Sequence, residues 1–329
     1  MNSIKVTLAA LGSSALLMFA SQAAYSQEVV LKALTFSPPA KIEDSMNMFR
    51  LWIDKVNAAG KGRVKIEIMG GPEVFPVNDQ VNAVSKGLAD IVMSFTAHAS
   101  AVPEVNSLGF SQLTPTEERE VGYFQLMDEA HNKINIKLIG RTATNAGFHI
   151  YSKELIDELD DFKGLTIRSH SGYDPFFKAL GANTIGIAIS EIYGALERGI
   201  VEAAPYPIYV YELGVQEVVK YALEDKFWTS HTTTTMMNLE KFNSLPDDVQ
   251  KILTDAQLEL ESEMPALLAE LEAVEKKRLV DSGLIFTSLS PEEHDEYIRL
   301  SITSRYASLV HDVGEEKAAQ IRSMIFPNF

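Results

Sequence analysis

Short apolar runs with strand-like alternation take turns along this chain with longer stretches whose apolar residues recur at helical spacing. Val29 to Phe36 is a β-rich opening. Met46, Phe49, Ile53 and Val56 then share one face of a helix, and the pattern stops at Gly60. Val64, Ile66 and Ile68 alternate as a half-buried strand does. A helix over 78–87 and an apolar run from Ile91 to Met93 follow. This β-α-β-α-β order predicts a mainly parallel sheet with helices on both faces. After the segment Ile136 to Ile150 the pattern restarts as a second α/β unit reaching Tyr211. Thr232 to Met237 is a β-branched strand whose expected place is back in the first sheet. No Gly/Ser-rich linker separates the halves, so two lobes joined by several crossings are expected.

The pattern changes after Ser244. Ser244-Leu245-Pro246-Asp247 reads as a capping-box-like start, followed by Val249, Leu253, Leu260, Leu267, Leu271 and Val274 among many acids. The reading is a long, largely solvent-facing helix. Pro265 should kink it, because proline removes one backbone donor and crowds the preceding turn. Ser290-Pro291-Glu292-Glu293 caps another helix in the same way. Internal repeats and low-complexity tracts are not evident.

Residues 1–26 form a different kind of segment. Lys5 is followed by an apolar run from Val6 to Ala20 and by small residues ending Ala24-Tyr25-Ser26. This predicts a secretory signal peptide cleaved near Ser26 and a periplasmic protein. Gly12, Ser13 and Ser14 interrupt the run, which argues against a core helix. Without cysteine there is no lipid-attachment site, disulfide framework or thiolate chemistry. No later run is apolar for long enough to span a bilayer, so no direct membrane insertion is expected. The formal charge of −16 becomes −17 once Lys5 is removed, which argues against nucleic acid and anionic lipid as partners. Such a surface also repels an anionic ligand at long range, so capture of an anion needs a local cation.

The sequence lacks the marks of a reaction centre. There is no G-x-S-x-G elbow, phosphate-binding GxxxxGK[ST] loop, GxGxxG or HExxH. Histidines 98, 131, 149, 170, 231, 294 and 311 do not fall at zinc-ligand spacings, so neither metal nor cofactor is expected. His170 and Ser171, neighbours in sequence, read as a loop contact rather than a base and nucleophile. The protein is therefore expected not to be an enzyme.

Residues 162–207 carry the candidate chemistry. Arg168 ends a short β-branched run, Leu165, Thr166 and Ile167, immediately before a polar loop. Its planar, permanently charged fork matches a carboxylate with two parallel hydrogen bonds, and a strand end is where α/β folds place such a group. An ion pair to Asp161 is the alternative reading. The motifs around it are Asp161, Lys163, Gly164, Ile167, Arg168; Ala179 to Asn183; Ser190, Glu191, Tyr193, Ala195, Leu196; and Gly199, Val201, Glu202, Pro207. In this order and spacing they closely resemble the solute receptors of tripartite ATP-independent periplasmic (TRAP) transporters, in the dicarboxylate-receptor-like (DctP-type) family. Weaker similarity runs from about Val30 to Phe326.

The resemblance implies an α/β, two-lobed periplasmic-binding-protein fold with a long helix bridging the lobes, for which the segment after Ser244 is the candidate. The expected division is 27–149 with 232–260 as one lobe, 150–231 as the other, and 245–329 as a C-terminal helical region. It implies a non-enzymatic receptor for a small organic carboxylate, with the membrane subunits of a TRAP permease as partners. A hydrolase or isomerase on the same scaffold, or a receptor serving a sensor kinase, are the alternatives. Arg168 matches the family arginine that holds the ligand carboxylate, with Ser169 beside it and Ile189 further along. At His149 the family very often carries a second arginine, which leaves His149 as either a ligand contact or plain structure. Phe95 and His98 fall where relatives for sugar acids carry charged groups, and Tyr206 where an amide is common. Phe36 closes the first strand. Each aromatic has a core reading too, but together they suggest a monocarboxylate with an apolar or aromatic body.

Overall fold

A computed structural model describes residues 28–36, 48–95, 101–141, 147–170, 172–227 and 233–326, without the side chains of Phe95 and Phe110. The signal-peptide segment and His98 lie outside the described residues. The chain begins with β1 (Val29–Thr35), α1 (Met48–Ala59), β2 (Val64–Gly70), α2 (Val77–Ser85), β3 (Ile91–Phe95), α3 (Pro115–Glu120), α4 (Tyr123–Asn132) and β4 (Ile136–Arg141). It continues with β5 (His149–Ser152), β6 (Thr166–Ser169), α5 (Asp174–Ala179), β7 (Asn183–Gly186), α6 (Ile192–Glu197), β8 (Ala203–Tyr206) and β9 (Tyr221–Leu223). β10 (Thr233–Asn238), α7 (Leu239–Ser244), α8 (Asp247–Asp281), β11 (Ile285–Thr287), α9 (Pro291–Val313) and α10 (Glu315–Ile325) follow.

Two sheets result, ordered β2-β1-β3-β10-β4 and β11-β9-β5-β8-β6-β7. β1 pairs in parallel with β2 and β3, whereas β10 is antiparallel to β3 and β4. The strand expected to return to the first sheet does so between β3 and β4. In the second sheet β5 alone runs against its neighbours β8 and β9. The sequence segment Ile136 to Ile150 is thus split, with β4 in one sheet and β5 in the other.

The two antiparallel strands decide how the sheets face. The link 142–148 leaves the C-terminal end of β4 and enters β5 beside the C-terminal end of β8, where His149 is opposite Tyr206. The link 224–232 leaves the C-terminal end of β9 and enters β10 beside the C-terminal end of β3, where Thr233 is opposite Phe95. Both short links join C-terminal edge to C-terminal edge, so these edges face each other across the crossings. Ligands of open α/β sheets bind outside the carboxyl ends of the strands.

Both faces of the first sheet are covered, and its strands show the period-2 split. Leu31, Ala33, Ile91 and Met93 pack toward α1 and the first half of α8, while Leu34 and Val92 pack toward α2, α4 and α10. In the second sheet Ile150, Ile167 and Ala203 meet Phe176 and Phe177 of α5, and Tyr151, Ala204 and Ala222 meet α6. α8, at 35 residues about 50 Å long by its 1.5 Å rise, buries Val249, Leu253, Leu260 and Leu268 on the first lobe and Leu279 on the second. α9 also bridges, with Tyr297 in the second lobe's core and Ile302 and Leu309 in the first's.

The start of α8 differs from the sequence reading. Ser244 does not cap it: its Oγ donates to Lys241 O at 2.7 Å and ends α7, whose own cap is Asn238 accepting from Lys241 N. Pro246 precedes α8 without a side-chain cap bond, and Asp247 and Asp248 supply the negative charge its N-terminus favours. The helix continues through Pro265. The start of α9 is as expected, with Ser290 Oγ accepting from Glu293 N and donating to its carboxylate at 2.7 Å.

Candidate functional site

Arg168 sits on β6, paired with Ile185 of β7, and only 5 % of it is exposed. Its Nε donates to Ile187 O at 2.9 Å, and Nη1 is hydrogen-bonded to the Tyr173 hydroxyl. These two bonds fix the plane of the guanidinium. No carboxylate forms an ion pair with Arg168 among the described residues. Asp161, the alternative partner, instead accepts from the backbone N–H groups of Asp157 and Glu158, both at 3.0 Å. A buried cation whose neighbours are a carbonyl and a phenol has the chemistry to take an anion.

Aromatic rings surround this cation. Tyr173 lies with its ring 6.2 Å from Phe148 and 5.8 Å from His170. Burial pushes the Tyr173 phenol up to about 12, against the pull of Arg168, so it stays protonated and its O–H remains a donor. Behind it Phe176, Phe177 and Phe227 close the core. Tyr173 carries no motif in the sequence, its only signal being its place five residues after Arg168, where α5 begins; Phe148 lies in the Gly147–Ser152 segment that resembles the family's second-arginine motif, with His149 in the arginine's place.

His149 is fully buried at the start of β5. Its Nδ1 lies 3.2 Å from Leu223 O, so Nδ1 carries the proton and Nε2 is left as an acceptor with no described hydrogen-bond partner. Glu272 of α8 stands 4.0 Å from Nε2, and Lys226 bonds that same carboxylate at 2.5 Å. Burial first, then Lys226, pushes the imidazole down to about 4. At pH 7 the ring is neutral, and its proximity to Glu272 is not an ion pair. Whatever His149 does, it supplies no fixed positive charge.

The remaining predicted positions divide between the two edges. Ser169, buried, follows Arg168, and Tyr206, half-buried, lies opposite His149 with its ring 5.9 Å from Tyr209. Ile189 is 45 % exposed, two residues past the carbonyl that holds Arg168. On the first sheet's edge Phe36 follows β1, half-buried against the α1 side of the core, and Phe95 ends β3. The buried hydroxyl residues Thr35, Ser94 and Thr233 stand at the same edge. A cavity of about 600 Å³ lined by Gln112, Glu224, Asp225, Lys226, Ser288, His294 and Ile298 borders the second crossing and includes none of the residues around Arg168.

Comparison with known proteins places this geometry in a family. The model for bacterial extracellular solute-binding proteins, family 7 (DctP), matches residues 41–303. The chain is 27 % identical over 215 residues to an uncharacterised protein of Haemophilus influenzae and 28 % identical over 174 residues to a solute-binding protein of Sulfitobacter; these alignments span 63 % and 50 % of those relatives. It is 23 % identical over 271 residues, 79 % of this chain and 71 % of the other, to a monocarboxylate 2-oxoacid-binding periplasmic protein of Nostoc. Among solved structures, a TRAP periplasmic solute-binding protein from Ochrobactrum anthropi superposes with a TM-score of 0.78 at 15 % identity, covering 92 % of this chain and 95 % of that one. A Bordetella pertussis extracytoplasmic solute receptor binding pyroglutamic acid gives a TM-score of 0.73 at 18 % identity, with 90 % and 99 % covered. These likenesses establish the two-lobed fold.

Proposed function

Because the chain belongs to the bacterial extracellular solute-binding proteins of family 7, a family of receptors rather than enzymes, we propose that it captures a small organic monocarboxylate in the periplasm and delivers it to the membrane subunits of a TRAP permease. Secretion with cleavage near Ser26 belongs to the same proposal, and no described helix is long and apolar enough to cross a membrane. The observation that carries the reading is Arg168: a buried guanidinium held by Ile187 O and Tyr173, with no described carboxylate paired to it.

The preference for one carboxylate rests on counting fixed cations. His149, in the place of the family's second arginine, is neutral down to about pH 4. A second carboxylate would lose its hydration without a fixed partner, which is expensive in a buried site. Tyr173, Phe148 and Tyr206, with Ile189, instead offer cover for an apolar body, each methylene-sized group contributing about 0.8 kcal/mol. Phe36 would close from the first sheet's edge. The monocarboxylate in the Nostoc relative's name and the pyroglutamic acid of the Bordetella receptor agree with this class.

Calorimetry on Arg168→Ala tests the anion site. Losing the ligand's charge partner costs about 2–5 kcal/mol, roughly 30-fold or more in affinity. Arg168→Lys should lose much of it too, since an ammonium lacks the paired fork. Native-like binding by Arg168→Ala rejects the assignment. A thermal-shift screen of monocarboxylates, C4–C6 dicarboxylates and sugar acids tests the class, and a preference for dicarboxylates would overturn it.

A further inference from the structure

Each sheet has two outer strands, and three of the four are protected. β2 carries the exposed charges Lys65 and Glu67. Along β4, Leu138 N donates to Asp128, Arg141 N donates to Glu261 and Arg141 O accepts from Gln257, so side chains of α4 and α8 occupy that edge. β11 is only three residues long. Charges, covers and short length are the devices that keep strand edges from pairing with other chains. β7 has neither charge nor cover, and Ala188, at φ −63° and ψ 151°, keeps the chain extended beyond it. No charged residue occurs from Ala179 to Ser190. Ile185 is 37 % exposed, and Gly186, Ala188 and Ile189 are exposed beside it.

The backbone of this edge matches itself. Asn183 N donates to Leu165 O at 2.9 Å and Ile187 O accepts from Arg168 Nε, so the odd-numbered residues turn their N–H and C=O groups toward β6. By the alternation of a strand, Thr184, Gly186 and Ala188 turn theirs outward, spaced evenly about Gly186. We propose that a second copy of this chain pairs antiparallel with this edge across a two-fold axis at Gly186, joining two six-stranded sheets into one. Gly186 N–H and O then exchange bonds with Gly186 of the other copy, and each Ala188 N–H meets the other copy's Thr184 O. Ala188 O is taken by Glu191 N at 3.0 Å, which ends the ladder. Ile185 of each copy lies opposite Ile187 of the other, an apolar cross-strand pair. The occupant is a copy rather than a charged partner because the edge offers nothing for a charge to meet. Two chains of formal charge −16 can approach where neither carries a charge, their remaining charges being screened beyond roughly 8–10 Å. An edge this short buries less than the roughly 1,200 Å² of a stable complex, so the dimer is weak and depends on concentration.

Substitution at the axis tests this. A Cβ on Gly186 would meet nothing within 4 Å, so Gly186→Lys and Gly186→Glu leave the fold intact. In a dimer each variant places like charges directly opposite each other, whereas a mixture of the two places opposite charges there. Sedimentation equilibrium of the native protein should give a weight-average mass that climbs from one chain toward two between about 10 μM and about 1 mM, the range of a weak interface. Each variant alone should associate at least about fivefold more weakly, with a melting temperature close to native, and an equimolar mixture should recover native association or better. A native protein that keeps the mass of one chain throughout overturns the proposal and leaves the edge to a strand of a different protein. Variants that associate as the native chain does, or a mixture no tighter than the variants alone, also overturn it.

Discussion

A single residue shows how burial rewrites the chemistry a sequence suggests. His149 occupies the second-arginine position, and from sequence alone it could have been a titrating clamp. The structure makes it neutral, with Nδ1 on Leu223 O and the whole ring inside the lobe. Its folded value near 4, against 6.5 for the exposed side chain, has a consequence for stability. Between these values the unfolded chain binds the proton and the folded chain does not, so stability falls as pH drops from about 6.5 to about 4. At 1.36 kcal/mol per pKa unit the full loss is about 3 kcal/mol. His149→Asn retains a donor for Leu223 O and removes the titration. Its melting temperature should therefore fall less steeply than the native one between about pH 7 and pH 4.5; parallel slopes would reject this account. Arg168 was legible because its motif and its strand-end position agree. Tyr173 was not, because a tyrosine at the start of a helix has no sequence mark separating a core ring from the group that orients an arginine.

At the scale of elements, the expected strands and helices formed where a single period dominated. α1 and β2 follow their patterns because each packs one face throughout its length. α9 gave no comparable signal, since it passes from the core around Tyr297 to that around Ile302 and Leu309, and no one face is apolar along the whole helix. The junction of β4 with α8 was also hidden, because it depends on residues far apart in sequence. Glu261 accepts from Arg119 Nε at 2.5 Å, from Arg141 N at 3.0 Å and from Gln257 Nε2 at 3.0 Å, while Gln257 Nε2 donates to Arg141 O at 2.7 Å. This bolts the end of β4, where the chain leaves the first lobe, onto the bridging helix. Gly140 makes the close approach possible, for a Cβ there would lie 2.3 Å from Glu261 Oε1 and 2.4 Å from Gln257. Gly140→Ala should cost about 2 kcal/mol through overpacking. At roughly 2.1 cal/mol/K per residue of unfolding entropy, that lowers the melting temperature by about 3 °C. A variant that melts like the native protein would show that α8 can shift freely against β4.

For the whole molecule, the two sheets and their connections define what ligand binding can move. The links 142–148 and 224–232 and the helices α8 and α9 all pass between the lobes. Ion pairs hold α8 to both partners: Lys55 to Glu259 and Arg63 to Asp248 on the first lobe, Lys226 to Glu272 and Arg278 to Glu212 on the second. The long helix is thereby tied to both lobes. Arg168 belongs to the second sheet's edge and Phe36 and Phe95 to the first's, so a ligand touching both edges binds the closed arrangement better than the open one. A ligand can shift such an equilibrium only by its difference in affinity for the two states. At a concentration 100 times Kd the bound carboxylate should raise stability by about 2.7 kcal/mol, which is about 4 °C in melting temperature at the same unfolding entropy. Small-angle scattering should show a smaller radius of gyration in the same samples, and at that concentration Arg168→Ala, weakened roughly 30-fold or more, should gain no more than about 0.9 kcal/mol. A rise in melting temperature with no change in radius would mean that the ligand sits on the second lobe alone, and the contribution assigned to the first sheet's aromatic edge would have to be abandoned.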